Sequence, residues 1–209
     1  MDLAPIQPSN RPQNCIFHSP FDIESPWLLG ENSWDVIRLQ MGHGCVSNWH
    51  SLYHKVHGHF RDSAWFEQVE IDFEPKCENN KLNNYSALHF WYQTLAQAAE
   101  GIGRPLAHCP RRTIDLLQES GFIDIKHEQI GLPLSQWHDD DHERVVGRWY
   151  SHAFQDTVDR LSIVYLGHVL GWAQDQIQQI VARVKPEGSN DDIHVFNVLH
   201  LYQARKRPA

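Results

Sequence analysis

Trp34-Asp-Val-Ile-Arg-Leu-Gln-Met41 and, further along, Trp65-Phe-Glu-Gln-Val-Glu-Ile-Asp-Phe73 are the stretches that decide the fold. The first mixes β-branched and apolar residues in a short run, closed by Gly42-His43-Gly44, and reads as a buried strand. The second alternates. Trp65, Val69, Ile71 and Phe73 share one face with Glu67, while Phe66, Gln68, Glu70 and Asp72 share the other. Between them Trp49, Leu52, Tyr53, Val56 and Phe60 recur at three- and four-residue steps, the pattern of a helix over 48–60. A strand, a helix and a second strand in this order predict an α/β fold with a parallel-type sheet.

Upstream, residues 1–14 are rich in Pro, Asn and Gln and read as an irregular lead-in, followed by a short strand at Cys15–His18. Downstream of Pro75 the pattern turns helical. Leu88, Trp91, Tyr92 and Leu95 mark a helix face, with Asn83 or Asn84 as N-cap and Gly101 as stop. A helix over 111–120 ends at Gly121, and 122–130 reads as a strand. Leu132-Pro133-Leu134 and the acidic run from His138 to His142 read as loop. Residues 143–170 are helical with a break near Asp159 and a stop at Gly171. Ile177, Ile180, Val181 and Val184 mark another helix. Pro186 to Asp192 is a loop, and 193–204 is the last strand, with a hairpin-like return allowed there. This gives one domain over 1–209: a partial sheet in 1–75, a mainly helical cap in 83–185 over the sheet's C-terminal edge, and the final strand.

The chain has 209 residues, with 18 Lys and Arg against 26 Asp and Glu, a net charge of −8. Such a balance disfavours binding to phosphate backbones, so no nucleic-acid partner is expected. No stretch approaches the ~20 apolar residues of a membrane helix. No basic segment leads into an apolar one at the N-terminus, so the expected location is cytoplasmic, or nuclear. The four cysteines form no CxxC pair, which rules out a zinc ribbon and leaves reduced thiols as the expectation.

Several groups have chemistry worth weighing. Glu70, Asp72 and Glu74 point to one side of a strand and its exit. They suit acid–base work or a hard metal, against the simpler reading of a polar sheet face; if Glu70 is functional, the substrate cleft is its place. His50, His54 and His57 share a helix face, which reads as solvated, and no metal is expected. His43 follows the C-terminal end of a strand, where a general base can sit. Trp91 and Trp137, with Trp149 and Trp172, either line a pocket for a small apolar metabolite or fill the core.

The order and spacing of many landmarks resemble the fungal LaeA-like methyltransferases. They are Asp2-Leu-Ala-Pro-Ile-Gln-Pro8, Asn14, Phe17, Asp22, Pro26-Trp27, Glu31-Asn-Ser-Trp-Asp35 and Glu70-Ile-Asp-Phe-Glu-Pro75. Gly101-Ile-Gly-Arg-Pro105, Gly121-Phe122, Leu132-Pro-Leu134 with Trp137, Leu170-Gly-Trp172 and His194 continue the series, so that it covers nearly the whole chain. The resemblance implies an S-adenosylmethionine-binding Rossmann-like fold and a place in secondary-metabolite biosynthesis. It assigns Asp2 to the cofactor's ribose hydroxyls, Asp22 to its adenine amino group, and His194 as a second candidate for general base.

In that family a strand and a glycine-rich turn precede the segment matching Asp2–Pro8, between the strands at Ile16 and Val36. The chain begins at that segment, so an N-terminally truncated fold with a weak grip on the cofactor is the expectation. Arg61-Asp-Ser-Ala64 stands where the family has Lys-Pro-Gly-Gly. Two functions follow from the resemblance. One is methyl transfer to a small molecule. The other is a non-catalytic accessory role, binding a pathway intermediate or partner enzyme. Open sheet edges would favour a homodimer or a complex with a pathway enzyme.

Overall fold

The computed structural model describes residues 4–7, 10, 12–83 and 85–208. In chain order it forms β1 (Trp34–Gln40), α1 (Trp49–His59), β2 (Phe60–Cys77), α2 (Ala87–Gly101), α3 (Pro110–Glu119), β3 (Phe122–Pro133) and α4 (Asp141–Leu161). A π-helical segment (Ser162–Val169), α5 (Gln174–Gly188) and β4 (Val195–Lys206) complete it. The class is α/β, as expected. The sheet order is β1-β2-β4-β3, with β1 and β2 parallel and β4 antiparallel to both β2 and β3. The sheet is therefore mixed rather than parallel throughout. The cause is that β4 starts beside Cys77, where β2 ends, and runs back between its neighbours.

Each helix of the first half has a local reason. Asn48 caps α1 by accepting the Ser51 N–H at 2.9 Å, and Leu52, Tyr53 and Val56 bury one stripe. That stripe packs with Leu116 and Leu117 of α3 against Phe66, Phe122, Tyr202 and Ala204 of the sheet. A second core joins α2, α4, the π-helical segment and α5 to Phe73 and Val195. The helical cap is thus α2, α4, the π-helical segment and α5. The segment 83–185 is not all cap, because α3 packs with α1 and β3 enters the sheet.

Several boundaries differ from the sequence reading, among them β2, which already starts at Phe60, and β3, which runs on through Leu132 and Pro133. The strand at 34–40 is not buried: among the described residues it is hydrogen-bonded on one side only, and Val36 is 60% exposed. Cys15–His18 is not a strand, and Ile16 is 73% exposed. Ser86, not Asn83, caps α2 by accepting the His89 N–H at 3.0 Å, while Asn83 folds the preceding turn by accepting from Tyr85; Asn84 lies outside the described residues. Helix α5 runs through Pro186 to Gly188. Glu187 takes the Leu88 N–H at the open start of α2 at 2.9 Å, and Gly188 packs on Phe154 and Leu134. Those contacts outweigh the backbone bond that Pro186 forfeits. Among the described residues no helix is long and apolar enough to cross a membrane.

Candidate functional site

The segment before β1 is strapped onto α1. Lys55 Nζ donates to the carbonyls of Ile23, Glu24 and Ser25 at 3.0, 2.7 and 2.7 Å. Glu24 Oε1 accepts from Ser47 N, Ser47 Oγ and Asn48 N at 2.9, 2.7 and 3.1 Å, and Oε2 pairs with Arg104 at 2.9 Å. Burial pulls the Glu24 carboxyl upward, but the bonds from Ser47, Arg104 and Asn48 outweigh it and hold its pKa down at about 2. Arg104 also donates to the Cys45 carbonyl.

The strap stands off β1 and leaves a groove of about 750 Å³ along that strand's open side and C-terminal end. Asp22, Ile23 and Trp27 line it from the strap, Ile37 and Leu39 from β1, and Gly42, Gly44 and Arg104 at its end. The flanks are apolar and the strap contributes a carboxylate. This suits a flat ring system bearing a polar hydrogen-bond donor.

The turn that closes β1 is tightly held. Met41 and Gly44 have φ of 57° and 77°. The N–H groups of Gly42 and His43 donate to the two oxygens of Glu70, at 3.0 and 3.2 Å. A Cβ on Gly42 would meet the Trp49 ring at 2.6 Å, and one on Gly44 would meet the Tyr165 hydroxyl at 2.5 Å, so a larger residue at either place must displace that ring, and at Gly44 the positive φ adds strain. Gly44 N–H donates to the Pro105 carbonyl at 3.0 Å.

Behind the turn runs a chain of polar groups. Gln68 donates to Glu70 at 3.0 Å, and Tyr53 donates to Gln68 at 2.7 Å. Thr113 stands beside both Tyr53 and Tyr202. The Tyr202 hydroxyl lies 2.7 Å from His108 Nε2, and His108 Nδ1 lies 2.6 Å from His43 Nε2. His200 and His127 extend the cluster, 2.9 Å apart between Nδ1 and Nε2. Burial, then the neighbouring imidazoles and Lys76, push His108 down to about 2 and His200 to about 4. Burial takes His43 down to about 4 against a raising contact with the Pro105 carbonyl. Burial pushes Glu70 up, resisted by its bonds from Gln68, His43 and Gly42.

The candidates from sequence fall in different places. Asp22 lines the groove, with Oδ1 accepting the Glu24 N–H at 2.8 Å. Asp2 lies outside the described residues. Glu70 is fully buried with both oxygens engaged, so it anchors the turn instead of walling a cleft. Asp72 is buried and Glu74 exposed, so the three carboxylates do not converge. Trp91, 1% exposed with its indole N–H on Ser162 Oγ at 2.9 Å, is core of the cap, as a residue on a helix's inner stripe should be. Trp137 donates to the Val195 carbonyl at 3.0 Å and stacks on His194 at 4.5 Å.

His194 pairs with Glu78 at 3.1 Å, just before β4 begins. Glu70 faces His200 across the sheet, and His194 lies six residues earlier in the chain. At strand rise that separates His194 from the turn by roughly 20 Å, so His43 and His194 belong to different places. His43 itself has Nε2 engaged by His108 and Nδ1 buried. Neither histidine lines the groove. Sequence reasoning missed His108, His127, His200 and Tyr202. The only local signal was His200 and Tyr202, two apart and so on one face of a strand. Among the described residues no cluster is arranged to hold a metal ion.

No family model matches the chain. It is 53% identical over 99% of its length to the secondary metabolism regulator laeA of Monascus pilosus, covering 56% of that protein. It is 52% identical over 99% of its length to the protein-methionine methyltransferase laeA of Emericella nidulans, covering 55% of it. The chain thus spans about half the length of these curated relatives. Solved structures are more distant. The YcgJ protein of Bacillus subtilis superposes with a TM-score of 0.49 at 12% identity, over 92% of this chain and 71% of that one. A Haemonchus contortus phosphoethanolamine N-methyltransferase in complex with S-adenosyl-L-methionine gives 0.48 at 10% identity, over 90% and 36%. A secondary metabolism regulator of Cochliobolus heterostrophus is 40% identical over 99% of this chain and is itself covered to 67%. With identity sustained from end to end across relatives of different length, the chain belongs to the LaeA family of fungal secondary metabolism regulators.

Proposed function

We propose that the chain acts in methyl transfer from S-adenosylmethionine in the control of fungal secondary metabolism, with the groove beside β1 receiving the cofactor's adenosine. The name of the Emericella nidulans relative supports the reaction class. The observation that carries the placement is the groove itself, with apolar flanks and one carboxylate. The donor set fits adenosine: Asp22 would accept the exocyclic amino group, and Ile37, Leu39 and Trp27 would flank the ring. Arg104 is engaged by Glu24 and the Cys45 carbonyl. The cofactor, when bound, supplies an electrophilic methyl group on a sulfonium. The protein's part is to hold the adenosine, to fix the turn at the groove's end and to keep His43 neutral. Neither candidate histidine lines the groove to act as a base. An acceptor with a lone pair and no proton to lose, such as a thioether, needs none.

Calorimetry and Trp27 fluorescence with S-adenosylhomocysteine test the reading on the 209-residue chain. Weak saturable binding is expected, lowered about tenfold in Asp22→Ala by loss of one charge-assisted hydrogen bond and unchanged in Trp137→Ala. Absence of saturation at millimolar ligand, or an unaltered affinity in Asp22→Ala, removes it. Binding without turnover of any acceptor would mark the chain as the accessory protein of the second reading.

A further inference from the structure

The turn after β1 is held at both its backbone and its side chain by two arms of hydrogen bonds. One runs from the His43 amide through Glu70 and Gln68 to Tyr53, the other from the His43 imidazole through His108 to Tyr202, and Thr113 stands beside both tyrosines. Their members come from β2, α1, α3, β4 and the loop before α3. Tyr53 and Tyr202 are 1% and 0% exposed, so water does not compete for these groups.

The Pro105 carbonyl sets the direction of the protons in the second arm. A carbonyl can only accept, and a bare lone pair on His43 Nδ1 would face its oxygen. With His43 Nε2 bonded to His108, the proton is therefore assigned to Nδ1. Nε2 of His43 is then an acceptor, so His108 donates from Nδ1 and accepts at Nε2. The Tyr202 hydroxyl must therefore be the donor to His108. The Nδ1 contact with Pro105 is not a well-aligned hydrogen bond. The His43 and His108 tautomers are coupled through their shared bond, so each constrains the other.

We propose that His108 and Tyr202 are positioning residues for the groove: acting through His43 Nε2, they hold the Gly42–Gly44 turn, and so the backbone that closes the groove's end. The geometry stands without the cofactor assignment; only the consequence for ligand affinity rests on it. A purely space-filling role is the competing account, since His108 also packs on His200, with ring centroids 4.3 Å apart. Removing single atoms separates the two.

Tyr202→Phe deletes one oxygen and keeps the ring. His108→Phe deletes both nitrogens and keeps a ring of similar shape. Imidazole ¹⁵N shifts report the tautomer of His43, and amide exchange reports the turn. In the wild type, His43 should be protonated on Nδ1 alone. In Tyr202→Phe the His43 ring should sample both tautomers. The amides of residues 42–45 should exchange about tenfold faster, the effect of one lost hydrogen bond, while α1 and α3 keep their protection. Affinity for S-adenosylhomocysteine should fall several-fold. A wild-type His43 protonated on Nε2 overturns the proposal. So does unchanged exchange at 42–45 in Tyr202→Phe. If the wild type fails to bind S-adenosylhomocysteine, the groove assignment falls while tautomer and exchange still decide this point. If His108→Phe does not fold, Tyr202→Phe decides alone.

Discussion

Lowering the pH from about 7.5 to about 5.5 should cost the folded chain roughly 4 kcal/mol through three histidines. His43, His108 and His200 have pKa values pushed down to about 4, 2 and 4 from 6.5, first by burial. A depressed pKa means the unfolded chain takes up the proton first. Folding is therefore unpenalised above 6.5 and loses stability as the pH falls from there toward the folded values. At about pH 5.5 each unfolded imidazole is some ten parts protonated to one, while the folded cluster is neutral; each then costs about 1.4 kcal/mol. Because the folded cluster binds almost no protons at this pH, the three costs add despite the contacts among the rings. Lys76 faces the cluster and opposes its protonation further. Glu70 and Asp72, both pushed upward by burial, work the other way: as the pH falls they protonate first in the folded chain and offset part of the loss. The assay is urea unfolding followed by tryptophan fluorescence at the two pH values. His200→Phe should remove about a third of the pH-dependent loss, whatever it does to the baseline. A total loss below about 1 kcal/mol would refute the assignment of a neutral cluster, as would a His200→Phe variant with the full wild-type pH dependence.

Trp91→Ala should destabilise the chain by about 3–5 kcal/mol through the cavity it leaves in the cap, with S-adenosylhomocysteine binding unchanged where the variant folds, as chemical unfolding and calorimetry would show. A Cβ at Gly147 would stand 2.1 Å from the Ser135 carbonyl oxygen, so Gly147→Ala must push α4 off the end of β3; a loss of about 1–3 kcal/mol is expected by thermal unfolding. Glu24, held at about 2 in the folded chain, contributes stability that is present above its ordinary 4.5 and is lost as the pH falls toward 2. Glu24→Gln should therefore cost roughly 2 kcal/mol near neutral pH and speed amide exchange in residues 22–27.

The parts of the fold that a short window encodes were legible. The three- and four-residue recurrence at Trp49, Leu52, Tyr53 and Val56 gave α1, and the alternation from Trp65 to Phe73 put Gln68 and Glu70 on one face of β2. What failed depended on neighbours. Nothing in Trp34–Gln40 tells whether a second strand pairs with it, so an edge strand read as a buried one. Pro186 reads as a helix stop until Glu187 and Gly188 are seen docked on α2 and α4. His108 sits in a loop without periodicity, and its partners at 43, 200 and 202 come from other elements. A site assembled from separate segments leaves no spacing for sequence reasoning to find.

The landmarks behind the family resemblance now have a spatial explanation. Asp22, Trp27, Glu70 and Arg104-Pro105 are scattered over the first half of the chain, yet all meet at the groove or the turn that closes it. Arg104 ties the strap to the turn through Glu24 and Cys45, and Pro105 holds Gly44. Leu134, Trp137 and His194 meet instead where β4 begins, through the Val195 carbonyl and the stacked Trp137 and His194 rings. The two groups sit at different levels of the sheet, and no ionisable group bridges them by any hydrogen bond found among the described residues. The first group shapes a cleft and the turn beside it, whereas the second fastens the cap to the last strand. A substitution in the first should change ligand binding before it changes stability, and one in the second should do the reverse. Asp22→Ala and Trp137→Ala, compared by calorimetry and by chemical unfolding, place that division under direct test; equal effects of both variants on both measurements would show that the landmarks form one structural unit after all.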